Sequence, residues 1–390
     1  MQAYTNYVPT MFFYGRGSVK TNGAEILPRY GKRAYIVTSK FIENRENIAL
    51  KDTMELLESL GIEYGYTENV EENPPIRSIV AMMPEIRAFE PDFLIGVGGG
   101  SSIDSTKAIS VLLEHPAECD TIEKATEIFY EGSLPHESIY SEGKLPVFAV
   151  PTTAGTGAEV TAFAVLTNEE THAKLAMSHP VFCVAAFLDG TYIDGAPDLI
   201  IHTGAMDALA HAAESYVNKK SNQMNRYYGE IAFRLFSEVK DNMLNSTLTH
   251  EDYDKLAMMS NIAGMAFMRS GTTIPHGMGY ALSTFKGVNH GLSCSVTLGE
   301  YLKVFKEQEN KDRAARVAEL CGFSSIDEMA DYMSQIIVRD MHITVTVDEI
   351  NKWSKDFFNM KYRLKKHPEE IDEDTIRTIY MASLKNYIVE

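Results

Sequence analysis

The sequence predicts an α/β domain with a parallel sheet, followed by an all-helical domain. Up to about residue 190, short apolar runs that suit buried strands alternate with helical patterns, as in βαβ units. Beyond Pro197, long amphipathic stretches replace the β-branched runs. A chain of 390 residues also exceeds the size at which a single hydrophobic core usually stops growing. We therefore expect an α/β domain over residues 1–190 and an all-α domain over residues 191–390.

The individual elements follow from the same patterns. Strands are predicted at 34–38, 93–97 and 147–150, with helices over 46–60 and 102–113. The predicted helices of the second half cover 199–218, 223–240, 252–268, 310–320 and 374–387. Glycine and proline in the segment 189–197 interrupt either kind of element and mark the domain boundary. The Lys/Glu-rich stretch 354–375 is predicted to form a solvated helical face.

Charge and cysteine content narrow the class of protein. With 36 basic and 54 acidic residues the formal net charge is -18, which disfavours nucleic acid and anionic membranes as partners. The 4 cysteines form no CxxC pair and no regular spacing, unlike a disulfide framework or a thiolate zinc site. We expect a cytoplasmic protein, because a reducing compartment suits this pattern and neither a signal peptide nor a membrane-spanning run is visible.

A glycine-rich turn joins the strand at 93–97 to the helix that follows it. The turn reads Gly96-Val-Gly-Gly-Gly-Ser-Ser-Ile-Asp-Ser-Thr-Lys107. Backbone N–H groups in such a turn can reach a pyrophosphate, and the helix dipole favours its negative charge. The residues Gly98 to Ser101 are the expected cradle. The alternative is a tight turn without a ligand, because the run is not the GxGxxG fingerprint, and Asp104 and Lys107 would then only pair with each other.

A second polar loop follows the strand at 147–150. It reads Pro151-Thr-Thr-Ala-Gly-Thr-Gly-Ala-Glu159 and offers hydroxyls and glycine amides to a nucleotide. Loops rich in threonine and glycine are common, so this pattern alone is a weak signal.

Potential metal ligands are concentrated in the second half of the chain. Asp207 and His211 are four residues apart in a strongly helical run, so both side chains project from one helix face. His276 and His290 lie downstream, each followed by glycine. Three imidazoles and one carboxylate suit Fe(II) or Zn(II). The spacing leaves open the alternative that each histidine is a packing residue.

Taken together, these motifs resemble the iron-containing, group III alcohol dehydrogenase family. The resemblance rests on Gly-Gly-Gly-Ser-x-x-Asp-x-x-Lys at 98–107, Pro-Thr-Thr-Ala-Gly-Thr-Gly-Ala-Glu-Val-Thr at 151–161, Gly-Met-Ala-Phe at 264–267, and the Asp-x-x-x-His pair with two downstream histidines. It implies a nucleotide-binding domain and a helical metal-binding domain, as in dehydroquinate synthase, with the active site in the cleft between them. It also implies that one divalent ion is held by Asp207, His211, His276 and His290, with Fe2+ expected first and Zn2+ as the alternative.

The resemblance also implies which residues contact the nucleotide and the substrate. Phe267 is expected to be a wall of the substrate pocket. The expected nucleotide contacts are Asn73, Gly99, Gly100, Ser101, Ser102, Ile103, Asp104, Thr152, Thr153, Thr156 and Lys174.

Two positions depart from the family pattern. Many relatives carry a further histidine near the nicotinamide, four residues after the first downstream ligand, where this chain has Tyr280. They often carry asparagine two residues after the Gly-Met-Ala-Phe motif, where this chain has Arg269. Tyr280 is therefore expected near the nicotinamide, where its hydroxyl could serve as a route for the proton.

Three functions are compatible with these features. The first is reversible hydride transfer between NAD(P) and a small primary alcohol, aldehyde or diol, with the metal binding the alcohol oxygen as a Lewis acid. The second is a lyase like dehydroquinate synthase, which would need many basic residues for a polyanionic substrate. The third is a non-catalytic binding or scaffolding protein, which need not retain four metal ligands. We expect the first, in a homodimer.

The end of the strand at 34–38 predicts the choice of nucleotide. An acidic side chain at the end of an early strand hydrogen-bonds the ribose 2′-hydroxyl of NAD and repels the 2′-phosphate of NADP. Here the strand ends in Ser39 and Lys40, where NAD-using relatives commonly have Asp in place of Ser39. NADP is therefore favoured over NAD, unless Glu43 returns a carboxylate to the ribose.

Overall fold

A computed structural model describes residues 4–40, 46–131, 145–169 and 173–389. Internal packing divides these residues into two units. The sheet unit comprises residues 7–153 and 158–194, and the helical unit comprises 195–389 together with 4–6 and 154–157. The predicted boundary after residue 190 falls in the short 3-10 turn Gly190–Tyr192, shortly before this division.

The sheet unit contains a six-stranded parallel sheet with the strand order β1-β8-β5-β4-β2-β3. Strands β6 and β7 form a separate antiparallel pair. The strands are β1 (Met11–Tyr14), β2 (Arg33–Thr38), β3 (Glu63–Thr67), β4 (Phe93–Gly98), β5 (Val147–Pro151), β6 (Val165–Asn168), β7 (Ala173–Ala176) and β8 (Ala185–Leu188). The helices are α1 (Ser18–Ile26), α2 (Ile48–Ser59), α3 (Ile76–Phe89), α4 (Gly100–Leu112) and α5 (Ile122–Glu131).

Strand β4 is the centre of this sheet. All six of its residues are buried, and it pairs with β2 on one side and β5 on the other. Phe93 and Ile95 pack into the hydrophobic core on one face of the sheet, whereas Leu94 belongs to the core on the opposite face. A parallel sheet covered on both faces reads in sequence as a continuous apolar run, which is why this strand was predictable. The expected α/β domain is confirmed.

The helical unit contains eleven helices within its described residues. They are α6 (Asp198–Val217), α7 (Gln223–Leu244), α8 (His250–Ser270), α9 (Ile274–Lys286), α10 (His290–Ser295), α11 (Leu298–Leu302), α12 (Gln308–Leu320), α13 (Ile326–Asp340), α14 (Val347–Asn359), α15 (Lys361–Leu364) and α16 (Glu373–Ser383). The strands β9 (Val345–Thr346) and β10 (Ile388–Val389) pair in parallel, so the unit is mostly rather than entirely helical. Every residue of α6 from Ala205 to Val217 is buried, as expected for a helix at the centre of a bundle.

The Thr/Gly-rich segment 154–157 belongs to the helical unit, and its glycines permit close backbone packing. A Cβ atom on Gly155 would lie 2.9 Å from the Cα atom of Gly204 in α6. Gly157 has a φ of 58°, and a Cβ atom there would lie 2.6 Å from the Cα atom of Gly264 in α8. Any larger residue would push this segment away from the two helices.

The interpretation of 354–375 as one solvated helical face is wrong. Helix α14 ends at Asn359, α15 lasts a single turn, and α16 begins only at Glu373. Between them, Arg363 is half-buried and His367 is buried. The Lys/Glu-rich composition gave no indication that these two side chains would be buried or half-buried.

The four cysteines, Cys119, Cys183, Cys294 and Cys321, are all unpaired, in agreement with the absence of a disulfide pattern. Among the described residues, no helix combines the length and the apolar character needed to cross a membrane.

Lys107 of α4 has a structural role that differs from the expected pairing with Asp104. Its side chain is fully buried, and its Nζ atom donates hydrogen bonds to the carbonyl oxygens of Ala158, Thr161 and Phe163 at 2.6, 2.8 and 3.0 Å. The Asp104 carboxylate is 3.9 Å from Nζ and instead accepts a hydrogen bond from the backbone N–H of Val165. The ammonium group therefore anchors residues 158–163 to α4.

We predict that Lys107→Met lowers the free energy of unfolding by about 3 kcal/mol, because three buried carbonyl groups lose a charged donor. Urea denaturation followed by circular dichroism measures this change. Lys51→Met, which removes only an exposed ion pair with Glu46, is the matched control and should leave the transition almost unchanged. Equal shifts in the two variants would contradict the anchoring role.

Candidate metal centre and nucleotide site

Helix α6 presents Asp207 and His211 from one face, a single turn apart. Both side chains are buried, with exposed fractions of 3% and 6%. The Asp207 carboxylate lies 3.8 Å from the His211 Nδ1 atom. The i,i+4 spacing thus places a carboxylate and an imidazole side by side in the interior of the helical unit.

The two downstream histidines converge on the same place. His276 lies in the first turn of α9, where its Nε2 atom is 2.9 Å from Nε2 of His211 and 3.5 Å from the Asp207 carboxylate. His290 is the first residue of α10, and its Nε2 atom is 4.0 Å from the Asp207 carboxylate. Gly291 lies against α6, where a side chain would overlap the carbonyl oxygen of Thr203. The structure therefore brings together all four side chains that the resemblance predicted as metal ligands.

The donor atoms of this cluster fit a divalent metal ion. The Oδ1 atom of Asp207 and the Nδ1 atom of His211 are buried and have no hydrogen-bond partner. Buried polar atoms are normally paired, so an unpaired carboxylate oxygen among three imidazoles indicates a missing ligand. Imidazole nitrogen and carboxylate oxygen together suit Fe(II) or Zn(II).

The charge states of the α6 residues also suit metal binding. Burial lowers the pKa of the His211 imidazole to about 4, so this side chain is neutral and keeps a free lone pair at neutral pH. Burial alone raises the pKa of Asp207, but the neighbouring His211, His276 and His290 outweigh it and hold the pKa below its usual range. Asp207 is therefore an ionised carboxylate.

Glu214 completes the cluster and was not identified from the sequence. It is fully buried on α6, and its carboxylate accepts hydrogen bonds from the backbone N–H of Thr273 at 2.5 Å and from the Thr273 hydroxyl at 3.0 Å. Its other oxygen contacts Nδ1 of His276. This contact orients the imidazole so that Nε2 faces Asp207. The spacing of 207, 211 and 214 on one helix face was the signal available in the sequence.

Cys294 is a second residue that the sequence analysis missed. Its side chain is fully buried one turn after His290, with Sγ 3.7 and 3.8 Å from the two ring nitrogens of His290. One donor atom from each of Asp207, His276, His290 and Cys294 lies within 4.8 Å of the others. Burial alone raises the pKa of this thiol, but the imidazoles of His276 and His290 outweigh it and lower the pKa to about 7.

Aromatic rings border the cluster. Phe267, the expected wall of the substrate pocket, stacks on His211 with the ring centroids 4.0 Å apart and the planes 7° apart. Tyr280 lies one turn after His276 on α9, and the guanidinium of Arg363 lies 4.5 Å above its ring. Arg269 is half-buried near the end of α8.

In the sheet unit, the glycine-rich turn follows β4 as predicted. Gly98 has a φ of 145°, and α4 begins at Gly100, so the first amides of the helix follow the strand directly. A Cβ atom on Gly99 would lie 3.1 Å from the Thr153 hydroxyl, so this turn and the end of the loop after β5 are in contact. The N–H of Thr152 donates to the carbonyl oxygen of Gly98 at 3.0 Å.

Asn73, Ser101 and Lys174 meet beside this turn. Asn73 has a φ of 51°, and its backbone N–H donates to the Ser101 hydroxyl at 3.1 Å. Its side-chain oxygen accepts a hydrogen bond from Lys174 Nζ at 2.9 Å. Three residues expected to contact the nucleotide thus form one cluster at the start of α4.

The other expected nucleotide contacts lie in different settings. The side chains of Ser102 and Ile103 are buried, with Ile103 in the hydrophobic core, and Asp104 binds the backbone of Val165. Thr156 belongs to the helical unit. Ser39 forms an isolated bridge with Asn69 at the end of β2, Lys40 is exposed, and Glu43 lies outside the described residues.

Comparison with protein-family models assigns both halves of the chain. The model described as iron-containing alcohol dehydrogenase matches residues 9–190. The model for the C-terminal part of the Fe-containing alcohol dehydrogenase family matches residues 200–384.

Individual relatives agree with this assignment. The chain is 29% identical over 316 residues to 1,3-propanediol dehydrogenase of Klebsiella pneumoniae, covering 81% of this chain and 78% of that protein. It is 27% identical over 361 residues to the NADPH-dependent butanol dehydrogenase of Clostridium saccharobutylicum, covering 90% and 88%. An iron-containing alcohol dehydrogenase structure from Thermotoga maritima has a TM-score of 0.83 and 30% identity, covering 98% of this chain and 100% of the other.

The two family matches together span most of the chain, and the relatives are alcohol and diol dehydrogenases. The chain is therefore an alcohol oxidoreductase and belongs to the iron-containing alcohol dehydrogenase family.

Proposed function

We propose that the protein transfers a hydride reversibly between NADP(H) and a small primary alcohol or aldehyde, with a divalent ion held by Asp207, His211, His276 and His290. The observation that carries this proposal is the convergence of the four side chains, with two of their donor atoms buried and unpaired. The names of the relatives, which include a propanediol and a butanol dehydrogenase, support a small alcohol as the substrate.

When bound, the ion supplies Lewis acidity to the substrate oxygen, and the nicotinamide supplies or accepts the hydride. The protein's own residues hold and orient these partners. Glu214 fixes the ring orientation of His276 through Nδ1, which directs Nε2 toward Asp207. Phe267 covers one face of the His211 ring and excludes water from it.

Among the alternatives, a scaffold would have no reason to keep three imidazoles and a carboxylate together in a buried cluster. A lyase like dehydroquinate synthase is less favoured, because the two relatives named above are dehydrogenases. The cytoplasmic location is likewise a proposal, supported by four unpaired cysteines. The expected homodimer stays a prediction.

The preference for NADP rests on the end of β2. Ser39 is half-buried at the strand end and Lys40 is exposed, so this place has a hydroxyl and a cation where an acidic residue would reject a 2′-phosphate. The NADPH dependence of the butanol dehydrogenase relative agrees with this choice.

For the metal site, we predict that His276→Ala or His290→Ala strongly reduces bound iron or zinc and abolishes alcohol oxidation, because each imidazole is one of only four protein ligands. Elemental analysis and the NADPH absorbance change measure the two effects, while circular dichroism monitors folding. His342→Ala, at an exposed histidine outside the cluster, should behave like the parent. Full metal content and turnover in both cluster variants would disprove the assignment.

For the supporting carboxylate, we predict that Glu214→Gln raises the dissociation constant of the metal by roughly 10- to 100-fold. The amide keeps the size of the side chain but loses the negative charge that orients His276. Competition with a chelating dye measures the affinity. Glu238→Gln, which removes an exposed partner of Lys255, is the control, and an equal affinity in both variants would show that Glu214 only fills space.

For the nucleotide, we predict that the parent prefers NADP(H), and that Ser39→Asp lowers the ratio of kcat/KM for NADPH over NADH by roughly tenfold or more, because the new carboxylate repels a 2′-phosphate. Ser39→Ala is the matched control, since it removes the hydroxyl without adding a charge and should change the ratio less. A parent that prefers NADH, or an Asp variant with an unaltered ratio, would reject the prediction.

A further inference from the structure

Arg363 of α15 lies next to the predicted metal ligand His276. A Cβ atom on Gly277, the residue directly after His276, would be only 3.2 Å from the Arg363 Cδ atom. The guanidinium of Arg363 then lies 4.5 Å above the ring of Tyr280, one helical turn along α9 from His276. The arginine therefore packs along α9 beside Gly277 and Tyr280, the residues one and four positions after the metal ligand in sequence.

The positive charge of Arg363 has no negative partner within the part of the chain that the structure describes. Its Nε atom donates to the Tyr362 hydroxyl at 3.1 Å, its side chain also hydrogen-bonds Tyr280, and its guanidinium lies over the rings of both tyrosines. Several other half-buried cations among the described residues form ion pairs, as Arg87 does with Asp120 and Lys255 with Glu251.

Lys366 extends this positive region. It is also half-buried, and among the described residues no carboxylate lies within ion-pair distance of it. Burial lowers the pKa of Lys366, and the nearby positive charges of Arg363 and Lys220 lower it further. The interaction of Lys366 with Arg363 is therefore repulsive, and a bound anion would relieve it.

The free-energy cost of burying a positively charged side chain is normally offset by a nearby negative charge. Arginine is well suited to the task, because its planar fork forms two parallel hydrogen bonds with a carboxylate while one face of the guanidinium stacks on an aromatic ring. Here the guanidinium lies over the Tyr280 ring, and the N–H groups that do not bond the two tyrosines remain available for a ligand.

We propose that Arg363 binds a carboxylate at the far end of the substrate, so that the enzyme acts on short ω-oxo acids and ω-hydroxy acids. This inference rests on the proposed function, with the aldehyde or alcohol end held at the His276 cluster. One helical turn, roughly 6 Å along the axis, separates His276 from Tyr280, a distance suited to a short carbon chain. In the reduction, NADPH gives a hydride to the carbonyl carbon, a proton adds to the oxygen, and the carboxylate is unchanged.

The test compares two aldehydes with the same four-carbon backbone, 4-oxobutanoate and butanal, in the metal-loaded enzyme with NADPH. The parent should have a kcat/KM at least tenfold higher for 4-oxobutanoate. Arg363→Met should lower the ratio of the two kcat/KM values by 30-fold or more, chiefly through KM for the acid. Arg363→Lys should recover part of the ratio because the charge remains. Arg316→Met, which removes an exposed arginine paired with Glu319, is the control and should keep the parent ratio.

Each outcome is decisive. A parent that reduces butanal as well as 4-oxobutanoate, or an Arg363→Met enzyme with the parent ratio, overturns the carboxylate site and leaves the proposed function intact. Reduction of neither aldehyde by metal-loaded parent with NADPH or NADH overturns the proposed function itself. Should the Met variant not fold, Arg363→Gln gives the same comparison, since its amide retains a polar group beside Tyr362.

Discussion

The helical unit is organised around two negative charges buried in one helix. Asp207 and Glu214 both belong to the most buried stretch of α6, where an unpaired carboxylate would be very costly. Both carboxylates lie against imidazoles of α9 and α10, His276 and His290. This pairing requires α10 to approach α6 closely, which Gly291 allows because a side chain there would overlap the α6 backbone. The electrostatic requirement and the backbone contact thus specify one arrangement of three helices.

The sheet unit is likewise organised around a buried charge, but here the charge is positive. Lys107 is fully buried, and its charge is satisfied chiefly by backbone carbonyl groups of residues 158–163. The same helix begins at the glycine-rich turn, where Asn73, Ser101 and Lys174 meet. A buried cation of α4 therefore anchors residues 158–163 to the same helix whose N-terminus borders the Asn73 cluster.

The secondary structure and the ligand set were largely predictable, but for different reasons. Continuous apolar runs identified β2, β4 and β5, because a parallel strand is buried on both faces. Helical spacing was enough to predict that Asp207 and His211 lie side by side on α6. The prediction that His276 and His290 join them depended on the family resemblance, because no local sequence pattern indicates a contact between helices far apart in the chain. Glu214 and Cys294 were missed for the same reason. Their roles depend on contacts with His276 and His290 that exist only in the folded chain.

The wrong prediction for residues 354–375 shows that composition alone does not reveal which charged side chains are buried. A Lys/Glu-rich stretch is usually solvated, but several of its residues here are buried or half-buried, among them the basic side chains of Arg363, Lys366 and His367. His367 is satisfied internally by the Tyr301 hydroxyl at 3.0 Å. Among the described residues, Arg363 finds tyrosine hydroxyls but no carboxylate, and Lys366 has no carboxylate within ion-pair distance. Two half-buried cations without a carboxylate therefore lie in the stretch whose composition suggested a solvated helix, and they are the groups on which the proposed carboxylate site depends.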